Sequence, residues 1–207
     1  MKKKTILFDF DGTIADSLPR LLEISNSMSE EYGYQKVSSD KISYFRNKSI
    51  LETFKELKVP LLKVPIIANR VKRTFQQEAH LSLPFEGIDR VIRQLSGDHN
   101  LGILTSNDKK SVQKFLDQQH LACFQFIYSS SHIFRKGKAL KRILKEKMID
   151  PKQTVYVGDE VRDIEAAHYA GTVVVSVSWG ANNKKALAKL RPDYLIDKPQ
   201  ELLTILS

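Results

Sequence analysis

The sequence has little cysteine and no long apolar run. Cys123 is the only cysteine among 207 residues. An internal disulfide and a zinc site built on several cysteines are therefore both excluded. No apolar stretch is long enough to cross a bilayer, and the apolar residues 5–8 behind the basic N-terminus are too few for a signal peptide. These absences predict a cytoplasmic protein with no membrane partner.

Acidic residues are outnumbered by basic ones. The chain has 33 Lys and Arg against 24 Asp and Glu, a formal net charge of +9. Nucleic acid or small anionic substrates could both match that charge. The basic residues are scattered, with few aromatic residues between them, which favours a solvated lysine-rich surface over a nucleic-acid partner. The length suits one large domain or a core with a small insertion, and it leaves the oligomeric state open.

A short apolar segment near the N-terminus leads into two aspartates. Residues 5–8 are rich in β-forming types and predict a buried strand. Asp9 and Asp11 follow, and in extended backbone residues i and i+2 point to the same side. Two close carboxylates repel each other unless a cation or a shared proton relieves them. Mg²⁺ prefers such oxygen ligands, although an ordinary acidic turn before Gly12 would use the same residues.

Residues 17–82 have helical character and no predicted strand. Their apolar residues recur at helical spacing, with Pro, Ser and Gly where helices start and stop. We predict a bundle of four helices, forming a cap domain at 17–82, with residues 1–16 and 83–207 as the core domain. Arg46 lies between two of these helices beside Tyr44 and Phe45. It is a candidate contact to a second anion on a substrate, and a solvated loop cation is the alternative.

Strand-like and helix-like segments alternate in the rest of the chain. Apolar segments at 101–105, 124–128, 154–157, 173–177 and 194–196 predict strands, and the segments between them predict helices. This order predicts an α/β fold with a doubly wound parallel sheet. Ligands of such a sheet bind at the carboxyl ends of its strands.

Hydroxyl groups and lysines follow two of these strands. Thr105 and Ser106 end a strand just before a helix, where hydroxyls and backbone N–H groups can bind an anion. Simple helix capping would use the same residue types. Lys136 and Lys138 flank Gly137 at the start of a later helix. A lysine near the site would neutralise the charge of a phosphate. The sequence alone leaves both lysines as candidates for this contact.

The segment from Val155 to Ala167 holds another acid pair. An apolar strand ends in Gly158 and Asp159, and Asp163 follows four residues on. With a helix starting near Glu160, we expect Asp159 at its N-cap and Asp163 one turn further, on a similar side. Such acids could cap the helix or complete a carboxylate shell for a cation, which Glu160 could also reach.

Two of these patterns resemble known motifs. Asp9-Phe10-Asp11-Gly12-Thr13 is similar to motif I of the haloacid dehalogenase superfamily in its phosphatase form, and Gly158-Asp159 with Asp163 is similar to its motif IV. The resemblance implies that Asp9 attacks phosphorus and becomes a transient aspartyl-phosphate. It implies that Asp11 protonates the leaving group and then activates water. The dehalogenase branch lacks this second aspartate.

The resemblance extends to the polar residues between these motifs. Thr105 and Ser106 match the phosphate-binding motif II, and Lys136, directly before Gly137, is assigned to motif III. The usual pattern has Gly before this lysine and Pro after it, where this chain has Arg135 and Gly137. A further implication is a Mg²⁺ ion held by Asp9, Asp11 through its carbonyl, Asp159 and Asp163.

The resemblance as a whole implies a Mg²⁺-dependent phosphatase with a helical type-1 cap, similar to phosphoglycolate phosphatases and acting on a small phosphorylated metabolite. A phosphomutase, a nucleotide or pyrophosphate hydrolase and a phosphonate hydrolase with a cap lysine remain alternatives on the same scaffold. A receiver-type signalling module would share the acids, the hydroxyl and the lysine. Asp11 and the helical insertion count against it.

Overall fold

The computed structural model describes residues 3–41, 44–45, 50–129 and 136–206. Its strands are β1 (Thr5–Phe8), β2 (Ala15–Asp16), β3 (Leu83–Pro84), β4 (Asn100–Thr105), β5 (Phe126–Ser129), β6 (Thr154–Gly158), β7 (Val173–Val177) and β8 (Tyr194–Ile196).

The helices fall into two groups along the chain. Those before β3 are α1 (Leu18–Ser27), α2 (Ser29–Tyr32), α3 (Ile50–Glu56) and α4 (Val64–Glu78). Those after it are α5 (Ile88–Asp98), α6 (Lys109–Gln118), α7 (Lys136–Glu146), α8 (Val161–Ala170), α9 (Lys184–Lys189) and α10 (Glu201–Leu206). Within the described ranges, no helix is both long enough and apolar enough to cross a membrane.

Six strands form one parallel sheet in the order β5-β4-β1-β6-β7-β8. The short strand β1 is central because all four of its residues are buried and can contact neighbours on both faces. Ile6 and Phe8 belong to one apolar cluster, and Leu7 belongs to a second. This alternation follows the two-residue period of a strand and places helices on both faces of the sheet.

A two-stranded antiparallel ribbon connects the sheet to the inserted helices. The chain leaves through β2 and returns through β3, with Ala15 opposite Pro84 and Asp16 opposite Leu83. The long helix α4 is attached to the sheet domain near the end of β4, where Gln76 Nε2 donates to the Ser106 carbonyl at 3.0 Å. The insertion therefore lies over the carboxyl ends of the central strands.

The predicted fold class is confirmed, with local differences. The ribbon of β2 and β3 was not predicted, because two-residue strands leave no periodic pattern. The first predicted helix is divided at Met28 into α1 and α2, and the short helix expected after Ser38 is a 3₁₀ turn at Ser39–Lys41. The strand predicted at 124–128 is β5 at Phe126–Ser129.

Candidate active site

The first aspartate follows directly from β1. The Asp9 N–H donates to the Val157 carbonyl at 2.8 Å and so continues the pairing of β1 with β6. Asp9 as a whole is 5% exposed, and its Oδ1 accepts from the Phe10 N–H at 2.8 Å. Gly12, with φ of 72°, then turns the chain sharply into β2. The end of a buried central strand thus fixes the position of the Asp9 carboxylate.

Lys136 lies between two of the predicted acids. Its Nζ donates to Asp9 Oδ2 at 2.6 Å and also to Asp163 Oδ1. Burial alone would lower the pKa of Lys136, but the charges of Asp163 and Asp9 raise it well above its usual value. Lys138, two residues along α7, is exposed. Of the two candidate lysines, the structure therefore brings Lys136 into the carboxylate site.

Asp159 is enclosed by backbone and hydroxyl donors. Its Oδ1 accepts from the Thr13 hydroxyl at 3.0 Å and its Oδ2 from the Ala181 N–H at 2.7 Å. A Cβ on Gly12 would lie 2.2 Å from Asp159 Oδ2, and one on Gly180 would lie 2.3 Å from the same oxygen. Both glycines are needed for this close approach of backbone to a buried carboxylate.

The start of α8 differs from the expectation in one detail. The N-cap residue is Glu160, not Asp159, because the strand β6 and its turn extend one residue further than predicted. The Glu160 N–H donates to Asp163 Oδ2 at 3.0 Å, as in a capping box. Glu160 also pairs with Arg162 at 2.5 Å. Asp159 is thereby left with no part in capping the helix.

Three buried carboxylates converge at this point. One oxygen from each of Asp9, Asp159 and Asp163 lies within 4.8 Å of the others. Burial raises the pKa of Asp9 despite the nearby Lys136, and burial with the charges of Asp163 and Asp9 raises that of Asp159 well above its usual value. The single positive charge of Lys136 does not balance the negative charges of these three carboxylates and Asp11. An all-oxygen, anionic donor set of this kind fits a hard divalent cation such as Mg²⁺.

Asp11 lies beside the cluster and has a different partner. Its Oδ2 accepts a hydrogen bond from Asn107 Nδ2 at 2.8 Å. Burial, and then the neighbouring Asp9 charge, raise the pKa of Asp11 to about 7. A carboxyl group with a pKa near neutrality can both donate and accept a proton at physiological pH.

The predicted hydroxyl residues lie at the end of β4. Thr105 is buried, and its Oγ1 accepts from the Asn107 N–H at 3.0 Å. Ser106 borders the cavity above the carboxylates together with Asp11 and Asn107. The parallel pairing of β4 with β1 brings these residues and the two aspartates to the same edge of the sheet. Arg46 lies outside the described residues.

No part in the site was predicted for Asn107 or for the hydroxyl of Thr13. Asn107 directly follows Ser106, and its position beside the two predicted hydroxyl residues was the one sequence feature that could have indicated its place in the site. The contact of Thr13 with Asp159 joins residues 146 positions apart, which no local pattern reveals. Trp179 Nε1 donates to the Thr13 carbonyl at 3.2 Å, and the Trp179 ring lies against Phe85.

Comparisons with known proteins agree with this arrangement. A family model described as "Haloacid dehalogenase-like hydrolase" matches residues 6–177. A phosphoglycolate phosphatase from Synechococcus elongatus is 32% identical over 202 residues, covering 97% of this chain and 95% of the relative. The pyrophosphatase PpaX of Bacillus mycoides is 27% identical and covers 100% of this chain and 98% of its own length.

Solved structures show the same fold. A haloacid dehalogenase-like family protein from Streptococcus pneumoniae superposes with a TM-score of 0.80 at 22% identity, covering 99% of both chains. A predicted phosphoglycolate phosphatase from Haemophilus somnus superposes with a TM-score of 0.76 at 23% identity. The match covers 100% of this chain and 99% of that protein's chain. Since the family model spans most of the sequence, the chain belongs to the haloacid dehalogenase-like hydrolases and is a phosphatase of that family.

Proposed function

We propose that this enzyme is a Mg²⁺-dependent phosphatase that hydrolyses a small phosphomonoester, phosphoglycolate-like or a related metabolite, through a phosphorylated Asp9. The single observation that carries the proposal is the pairing of the buried Asp9 carboxylate with Lys136 at 2.6 Å, beside an Asp11 whose pKa is raised to about 7. This gives the site a positioned nucleophile, a cation and a proton donor. A cytoplasmic location belongs to the same proposal.

In the first half of the reaction, an Asp9 oxygen attacks phosphorus, and the bond from phosphorus to the leaving oxygen breaks. Asp11 gives its proton to that oxygen, so the alcohol leaves neutral. In the second half, Asp11 takes a proton from water, which attacks phosphorus and releases phosphate and free Asp9. Lys136 neutralises charge on Asp9 and on the phosphoryl group, and the hydroxyls of Thr105 and Ser106 bind phosphoryl oxygens.

The donor set for the metal is part of the proposal. Asp9, Asp159 and Asp163 would hold Mg²⁺ with their carboxylates, and Asp11 would contribute its carbonyl. A bound Mg²⁺ would orient the phosphate and screen its charge from Asp9. Glu160, which pairs with Arg162, is left out of this set.

The direct test is hydrolysis of a generic aryl phosphate with Mg²⁺ and with EDTA. We expect turnover only with Mg²⁺, and loss of turnover in Asp9→Asn with the fold retained. The exposed Asp98 lies at the end of α5, away from the site, and Asp98→Asn is the matched control. Turnover that persists in EDTA would refute the metal requirement, and near-normal turnover of Asp9→Asn would refute the nucleophile. A panel of phosphoglycolate, sugar phosphates, nucleotides and pyrophosphate then ranks the substrates.

A further inference from the structure

A cavity of about 490 Å³ extends from the carboxylate site into the interior of the helical insertion. At one end it is bordered by Asp11, Gly12 and Asn107, so it is continuous with the proposed site of phosphoryl transfer. Its other walls come from α1, α3, α4 and the residues that follow α3. A leaving group on the Asp11 side of the phosphorus would therefore extend into this cavity.

The walls inside the insertion are mainly apolar. They include Leu18, Leu22, Phe54, Leu57, Ile67 and Val71. Among the residues that the structure describes, the cationic side chains on its border are Lys72 and Arg162. Arg162 is already paired with Glu160 at 2.5 Å. Among the described residues, polar groups are a minority on these walls, so a strongly anionic leaving group would lose hydration that they do not fully replace.

The volume is much larger than a packing defect. Protein interiors are packed so closely that voids much larger than a water molecule are rare. This cavity is partly open and is lined mainly by apolar side chains, as ligand pockets commonly are. Ligand pockets for drug-sized molecules measure about 300–1,000 Å³, whereas glycolate is a two-carbon acid and would occupy little of this space.

We infer that the substrate is a phosphomonoester whose alcohol part is apolar, an alkyl or aryl group that fills this cavity while its phosphate lies at Asp9. The inference rests on the proposed function: it keeps the reaction and places the substrate among apolar phosphomonoesters rather than phosphoglycolate-like ones. Apolar walls remove the leaving group from water, and each buried methylene adds to binding. Selectivity then comes from the fit of the apolar group rather than from a second anion.

The test compares kcat/KM for a series of linear alkyl phosphates with Mg²⁺ present. We expect kcat/KM to rise by up to about fourfold for each added methylene, on the order of a hundredfold from ethyl to hexyl phosphate. Phosphoglycolate and pyrophosphate serve as the anionic comparison compounds. In parallel, ethyl and hexyl phosphonate, which lack the scissile P–O–C bond, are titrated by calorimetry, so that binding is measured without turnover.

Two variants on one helix give a matched pair. Val71 borders the cavity, whereas Ile66 on α4 is 58% exposed. Val71→Thr places a hydroxyl in the cavity, so the ratio of kcat/KM for hexyl over ethyl phosphate should fall on the order of tenfold. Ile66→Thr should leave that ratio unchanged. Since each ratio is measured within one protein sample, partial unfolding of a variant does not affect it.

The outcomes separate the two proposals. Turnover that is flat from ethyl to hexyl phosphate would overturn the inference and leave the phosphatase proposal standing. The inference would also be overturned, and the phosphatase proposal would stand, if phosphoglycolate or pyrophosphate were the best substrate and its KM rose in Lys72→Met. If no compound is hydrolysed but hexyl phosphonate binds far more tightly than ethyl phosphonate, the phosphatase proposal fails and the assignment of the cavity stands. Equal binding of the two phosphonates would remove the assignment as well.

Discussion

Asn107 donates a hydrogen bond from its side-chain amide to Asp11 at 2.8 Å, across two neighbouring strands of the sheet. The bond joins the end of β4 to the turn after β1. It holds one oxygen of the Asp11 carboxyl group, and the other, Oδ1, is buried. Burial and the nearby Asp9 raise the pKa of the same carboxyl to about 7. Geometry and protonation state therefore both suit proton transfer.

Asp11→Asn should lower kcat on the order of 10²–10⁴-fold, the usual range for a positioned acid–base group. The loss should be smallest for an aryl phosphate, whose leaving group needs no proton, and larger for an alkyl phosphate. Steady-state kinetics with both compounds checks this. Equal losses would contradict the acid role, and Asp98→Asn again serves as the control.

Lys136→Met should reduce kcat far more than Lys138→Met. Lys136 contacts both Asp9 and Asp163, whereas Lys138 is exposed. Loss of the cation leaves the acid cluster without its internal counter-charge, and we expect a fall in kcat on the order of a hundredfold or more. Parallel measurements of kcat for both variants, with circular dichroism to check folding, test this. A larger effect of Lys138→Met would place the phosphate-binding lysine two residues further on.

Much of the sheet domain could be predicted because its segments are strongly patterned. Residues 161–170 and 173–177 form α8 and β7 with the expected bounds, since a helix ending at Gly171 and a run of β-branched residues are both clear local signals. The order of such segments then determines which strand ends meet. That is why Asp9, Asp159 and Asp163 could be expected at one edge before any coordinates were known.

The contacts that complete the site could not be predicted in this way. Thr13 with Asp159, and Asn107 with Asp11, depend on the exact approach of loops from different strands. The apolar cavity in the insertion depends on how far α1, α3 and α4 stand apart. Periodicity shows which face of a helix is apolar, but it does not show whether that face meets another side chain or a space for ligand.

The effect of pH on stability should change when Mg²⁺ is added. The folded chain raises the pKa of Asp11 from 3.8 to about 7, and it also raises those of Asp9 and Asp159, chiefly by burial. A folded state with raised carboxyl pKa values binds more protons than the unfolded chain, so stability falls as pH rises through this interval. The raised pKa of Lys136 contributes a constant term there, because lysine is protonated in both states.

In EDTA we therefore expect Tm to decrease from pH 5 to pH 8. Mg²⁺ competes with protons for the same carboxylates, so the increase in Tm on adding Mg²⁺ should be larger at pH 8 than at pH 5. Thermal unfolding at both pH values, with and without the ion, measures it. The Asp159→Asn variant should show a smaller Mg²⁺ effect at pH 8. An equal increase at both pH values would show that these acids do not bind the ion.

Gly180→Ala should damage the site through Asp159 rather than through a direct contact with substrate. A Cβ at this position would lie 2.3 Å from Asp159 Cβ and Oδ2 and 2.4 Å from the Gly12 carbonyl oxygen, so the turn or the carboxylate must move. We expect weaker Mg²⁺ binding, seen as at least a tenfold increase in the Mg²⁺ concentration needed for half-maximal activity. Gly97→Ala in α5 is the matched control, because a Cβ there meets nothing within 4 Å and alanine favours a helix. An unchanged Mg²⁺ requirement in folded Gly180→Ala would show that the position of Asp159 does not govern metal binding.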